Sequence, residues 1–177
     1  MAEILSADER ALQVLKTNRY FVLATVDEEG PWVAGLAFVP AASPPRLYFI
    51  SRTWARHSKA IERNNRVAGV IYNSTASLLD VESIQFSGTC HRVTDKEELR
   101  IVLRGHPADK GDEPDNQALE KIFENPDLAA YCVTIKDAYV LDQTAWLNFE
   151  IDARESTDIY DVFITFLKSF EQESAKE

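Results

Sequence analysis

The stretch from Leu47 to Tyr72 constrains the chain most, because its residue pattern changes character twice over a short span. Leu47-Tyr48-Phe49-Ile50 is a short apolar run of strand-favouring residues. Arg56 to Asn64 has no Gly or Pro and sets Ala60 and Ile61 on one helical face. Asn64-Asn65 ends that helix, and Val67 to Tyr72 is apolar and β-favouring again. The segment predicts a strand, a polar turn, a helix and a strand. It is also where an acidic chain turns basic: residues 46, 52, 56, 59, 63 and 66 are Arg or Lys and only Glu62 is acidic, a local charge of +5 in a chain of −10. In such a corner the hydroxyls of Ser51, Thr53 and Ser58, the free N–H groups of the helix and the cations of Arg56 and Lys59 can converge on a phosphate. The competing reading of each single cation is a solvated helix face.

The flanking pattern predicts a mainly β protein with a helix at either end, folded as one domain over residues 1–177 with its core at about 20–150. Ser6 and Glu9 have the spacing of a capping box, opening a helix to about Asn18. Tyr20 to Val26 and Pro31 to Val39 are apolar runs joined by Asp27 to Gly30, a hairpin signal. Pro40 to Pro45 reads as a rigid loop before the strand from Arg46. Val81 to Val93 alternates, with Ser83, Gln85 and Ser87 on one face and Ile84 and Phe86 on the other. A helix over Asp95 to Arg104, a loop from Gly105 to Asp115 and a short helix over Asn116 to Glu124 follow. Tyr131 to Leu141 and Ala145 to Ile151 are the last predicted strands, with a turn at Asp142 to Thr144. Beyond them, Ser156 or Thr157 can cap a helix over about 157–173. Its Ile159, Val162, Phe163, Phe166, Leu167 and Phe170 recur on one stripe, which must be buried on the barrel or across a dimer.

Several function classes are disfavoured. A charge of −10 with one compact basic locus argues against a nucleic-acid partner, whose backbone demands cations over a wide face. No apolar run reaches the roughly 20 residues of a membrane helix. Met1 to Arg10 holds three acids, unlike a signal peptide, so the cytoplasm is expected. Cys90 and Cys132 read as buried free thiols, and His57, His91 and His106 show no ligand spacing, so no metal site is expected.

The strand, Ser/Thr turn, Lys-bearing helix, NNRVAGVIY strand and SIQFSG run resemble the pyridoxamine 5'-phosphate oxidase-like group of FMN-binding split barrels, over roughly Tyr20 to Phe149. The resemblance implies a six-stranded split barrel, a homodimer and two FMN sites at the dimer interface. It implies that Ile50, Ser51, Arg52 and Thr53 at the strand end, with Arg56, Ser58 and Lys59 in the helix, grip the FMN phosphate, through Ser51 or Thr53 and through Lys59. It further implies that Val33, Ala34, Gly35, Leu36 and Ala37 lie along the flavin ring. Ser83 stands where the oxidases carry a flavin-contacting Gln, and Gln85 lies one step along the same face. The oxidases' substrate-binding Arg and His have no counterpart here, Asp142 and a displaced Trp146 standing instead. The expected function is that of an FMN-binding oxidoreductase-like protein acting on a small molecule, and vitamin B6 oxidation is not the favoured reaction. The alternatives are a non-catalytic flavin- or haem-binding dimer, with His57 or His91 as haem ligand, and a dimer with an empty groove.

Overall fold

In the computed structural model, which describes residues 5–76, 82–105, 120, 124–149 and 151–174, the strands form one antiparallel sheet of eight. They are β1 (Tyr20–Asp27), β2 (Gly30–Ala37), β3 (Val39–Ala41), β4 (Arg46–Arg52), β5 (Arg66–Tyr72), β6 (Ser83–Arg92), β7 (Leu128–Leu141) and β8 (Arg154–Ser156). Across the sheet their order is β2-β1-β5-β6-β7-β4-β3, with β8 on β7 off that path. β2 and β3 stand at opposite ends of this order, yet only Phe38 separates them in the chain. A link of one residue cannot span a flat sheet, so the sheet curls until its ends meet as a split barrel.

The strand count corrects the expected six. The additional strands are short: β3 falls in the stretch read as a rigid loop, where Pro40 is accommodated because β3 ends the sheet order. β8 is a three-residue return along β7.

Inside the curl, aromatic rings fill the space. Phe21 lies 6.1 Å from Phe38 and 5.8 Å from Phe49, edge-on to both, and Phe49 stacks on Tyr131 at 5.2 Å. Phe38 is 2% exposed, and burying such a side chain contributes about 2–3 kcal/mol, so the closing residue is also a core residue.

The helices cover what the strands leave open. They are α1 (Ala7–Thr17), α2 (Arg56–Arg63), α3 (Lys96–Leu103), α4 (Gln143–Phe149) and α5 (Ile159–Ser174). The capping box forms as predicted, the Glu9 N–H donating to Ser6 Oγ and the Ser6 N–H to Glu9 Oε2 at 2.8 Å. The α5 stripe packs within the chain: Ile159, Val162, Phe163 and Phe166 share the core with Ala11, Val14 and Leu15 of α1. Its cap is neither expected candidate, because Thr157 donates to Asp8 Oδ1 at 2.7 Å and leaves Asp158 to accept from the Asp161 N–H. Arg10, 4% exposed, donates to the Leu5 and Leu141 carbonyls and to Glu155, which ties α1 to the ends of β7 and β8.

The predicted strand over Ala145 to Ile151 is instead α4. Asp142 decides it: its carboxylate accepts from the Ala145 N–H at 2.9 Å and its carbonyl from the Trp146 N–H at 3.0 Å, an N-cap that overrides the β preference of the residues after it. The predicted helix over Asn116 to Glu124 and the loop before it lie almost wholly outside the described residues. Among the described residues no helix is long and apolar enough to cross a membrane.

β6 and β7 slip register between Ser87 and Gly88, and a Cβ added at Gly88 would run into the Thr134 carbonyl. Gly88→Ala is therefore expected to cost on the order of 1–3 kcal/mol, because backbone rather than a flexible side chain must give way. In thermal unfolding this reads as a fall in Tm of several degrees, and an unchanged Tm would show that the bulge is soft.

Candidate functional site

The candidate site is the corner where β4 runs into α2. Its helix starts bare: Ala55 at the N-cap offers no side-chain acceptor, and the first turn holds no acid. Free N–H groups and the positive end of the helix dipole therefore face the turn uncompensated. By contrast α1 is capped by Ser6 and α3 by Asp95.

The corner's side chains divide into engaged and available groups. Arg56 is engaged, donating to both carboxylate oxygens of Asp27 at 2.8 and 2.9 Å while its guanidinium lies 4.7 Å from the Trp32 ring. It pins the β1–β2 hairpin to α2, and its hydrogen bonds hold the Asp27 carboxyl below the usual carboxylate range. The Thr53 hydroxyl donates to the Pro126 carbonyl at 2.9 Å. Ser58 is fully buried, out of reach of a ligand, and burial pushes the Tyr131 phenol up. Arg52 and Lys59 are exposed, and among the described residues neither side chain has a partner.

Sequence reasoning passed over His57 as part of this corner. Its Nε2 lies 2.7 Å from Ser51 Oγ, and its ring is 6.3 Å from that of Phe49. Burial pushes the imidazole below its usual pKa of 6.5, so it is neutral at pH 7 and one ring nitrogen accepts while the other donates. A spacing rule could not have found this contact, because it depends on the bend between β4 and α2.

The residues expected along a planar ring separate by the pleat of β2. Val33, Gly35 and Ala37 pair with Ala24, Val22 and Tyr20 of β1 and share its outward face, whereas Leu36 packs on the core. The register runs straight across the sheet from Gly35 through Val22 and Val70 to Gln85, so Gln85 and Ser83 lie on that same face. Nothing lies within 4 Å of where a Gly35 Cβ would stand, and Gly35 joins Tyr20, Val22 and Tyr72 in lining a shallow groove of about 360 Å³. Gln85 Oε1 accepts from Arg154 Nε of β8 at 2.9 Å. Ala34 faces inward with Leu36, and Ile50 is exposed at the end of β4.

A curled antiparallel sheet whose two ends are joined through one residue defines a split-barrel protein. A family model described as pyridoxamine 5'-phosphate oxidase matches residues 7–142, and the chain belongs to that family. A curated relative, the UPF0306 protein PM1958 of Pasteurella multocida, is 26% identical over 98 residues, which are 54% of this chain and 66% of that one. Among solved structures, a heme binding protein from Mycobacterium smegmatis superposes with a TM-score of 0.62 at 15% identity over 90% of this chain and 61% of its own. HutZ, the heme storage protein of Vibrio cholerae, gives 0.55 at 18% identity over 75% and 92% of the two chains. A Clostridium acetobutylicum protein related to general stress protein 26 gives 0.58 at 11% over 88% and 96%. Likeness at these identities is likeness of fold.

The state of His57 yields an expectation for stability. As pH falls through 6.5 the unfolded chain takes up a proton that the folded chain refuses, so stability declines below 6.5 and is untouched above it. His57→Gln should remove that part of the acid decline. Tm measured against pH checks it: curves for the two proteins that stay parallel from pH 7.5 to about 5 would mean that His57 titrates normally.

Proposed function

We propose that this chain is an FMN-binding, oxidoreductase-like protein acting on a small molecule as a homodimer. The observation that carries the reading is the uncapped start of α2, with the Ser51 hydroxyl, the neutral His57 and the unpartnered cations of Arg52 and Lys59 around it. These groups fit a phosphate. The helix N–H groups donate hydrogen bonds, the hydrogen-bonded pair of Ser51 and the neutral His57 offers one further donor, from the hydroxyl or from the ring according to the tautomer, and Arg52 and Lys59 supply charge without first breaking an ion pair. Arg56 contributes by holding the hairpin, which fixes where β2 begins. The outward face of β2, with Gly35 at its centre, admits a planar ring close to the backbone. When bound, FMN supplies the redox chemistry, and the protein's task is to orient it and to exclude water.

The dimer reading rests on the same outward face. Tyr20, Val33, Tyr72 and Tyr139 are each at least 40% exposed there, spread over β1, β2, β5 and β7, and among the described residues β2 is paired on one side only. Apolar surface beside an open strand edge favours a second copy, which would deepen the shallow groove around Gly35 into a site. Light scattering at micromolar concentration is expected to give twice the 20.0 kDa chain mass, and a monomer would overturn this part of the reading.

Haem is the second reading, supported by the two haem-associated structural relatives. It ranks lower because Ser51 already engages Nε2 of His57. Parallel titrations with FMN and hemin decide between the two.

Lys59→Ala tests the phosphate assignment. A charge-assisted hydrogen bond contributes about 1.5–3 kcal/mol, and solvent screening at an exposed lysine favours the lower end, so FMN affinity should fall roughly tenfold. Riboflavin, which lacks the phosphate, should bind weakly and equally to both proteins. Equal losses for the two ligands, or no FMN binding by the unmodified protein, would remove the assignment.

A further inference from the structure

A second constellation lies away from this corner, under α3. His91 and Cys132 are direct cross-strand partners on β6 and β7, and Tyr48 of β4 pairs with Cys132 on its other side. These three side chains therefore stand in one row on one face of the sheet, where directly paired Cβ atoms are about 4.5–5.5 Å apart. α3 lies over this row. Asp95 caps it by accepting from the Glu98 N–H, and Leu99 and Val102 pack with Tyr48, Ala130 and Cys132, which brings Glu98 down onto the row.

The result is a thiol, an imidazole and a carboxylate whose donor atoms all lie within 4.8 Å of one another, the one such group among the described residues. A tetrahedral zinc site with bonds of about 2.0–2.3 Å holds its donors about 3.3–3.8 Å apart, so a modest turn of one side chain closes the set. His91 is free to make that turn, being exposed and without a partner among the described residues. Glu98 is already oriented: Tyr48 donates to its Oε1 at 2.9 Å, and Arg46 donates to the Tyr48 hydroxyl at 3.0 Å and to the same Oε1 at 3.3 Å. Hydrogen bonds from a surrounding shell that fix a ligating carboxylate are a usual part of metal sites.

We propose that His91, Glu98 and Cys132 form a binding site for a divalent transition metal of the zinc type, with a fourth position open to water. The donor set supports that class of ion, because thiolate and imidazole select zinc, cobalt and their neighbours over calcium or magnesium. With three protein ligands and an exposed histidine the site is open rather than closed. The Arg46 charge beside Glu98 opposes the ion, so binding is weaker than in an all-thiolate structural site.

Cobalt(II) added to chelator-treated, reduced protein tests this, because thiolate ligation to cobalt gives a near-ultraviolet charge-transfer band. One equivalent per chain is expected to produce the band. Cys132→Ser should abolish it, while Cys90→Ser should leave it, since Cys90 belongs to the interior core rather than to the row under α3. His91→Ala and Glu98→Gln should weaken cobalt binding on the order of 10- to 100-fold or more. If Cys132→Ser fails to fold, His91→Ala decides, because an exposed side chain is dispensable for folding. No band in the unmodified protein, a band lost with Cys90 instead, or unchanged cobalt affinity in His91→Ala would each overturn the site.

Discussion

The architecture depends on one short covalent constraint, the single residue between β2 and β3. Because these strands end the sheet order on opposite sides, Phe38 fixes the curvature of everything between them. Its ring belongs to the same packed group as Phe21, Phe49 and Tyr131, so closure and core formation are one event. The outward face of the sheet, with its small residues and its open edge, is the by-product of that curl. That face carries the shallow groove around Gly35.

Electrostatics then distinguishes two uses of the basic segment. Arg56 and Arg63 are spent on the acidic hairpin, on Asp27 and Glu28, and convert a charge excess into a structural tie. Arg52 and Lys59 are left over. In a chain of net charge −10, two exposed cations beside a helix start add to a local positive field, and the acids of the neighbouring hairpin, Asp27, Glu28 and Glu29, are already paired with Arg56 and Arg63.

Much of this was legible in the residues. The capping box at Ser6, the hairpin at Asp27 to Gly30 and the alternation through Ile84 and Phe86 are local signals, and each produced the element it predicted. What escaped was decided at a distance or by one atom. Asp142 turned a β-favouring run into a helix by capping it, and Asp158 took the cap of the last helix because Asp8 claimed Thr157. At the corner, the sequence picked out Ser51 and Lys59 but not the bond that brings His57 to Ser51, nor the burial that removes Ser58. The pairing of His91 with Cys132 lies across strands far apart in the chain, where no spacing rule reaches.

The clasp between the chain's two terminal helices bears on the order in which the molecule is made. Asp8 accepts from the Thr157 hydroxyl and the Asp158 N–H, and the apolar stripe of α1 is covered by Phe163 and Phe166. Asp8 leaves the ribosome 149 residues ahead of Thr157, so α1 precedes its cover by most of the sheet. At synthesis rates of about 5–20 residues per second, the helix waits on the order of ten seconds with its apolar face bare. β4 can pair at once with β3, but its other edge waits, since β7 lies beyond α3. The nascent chain thus carries an amphipathic stripe and an open strand edge through much of its synthesis, until β7 and α5 emerge to cover them.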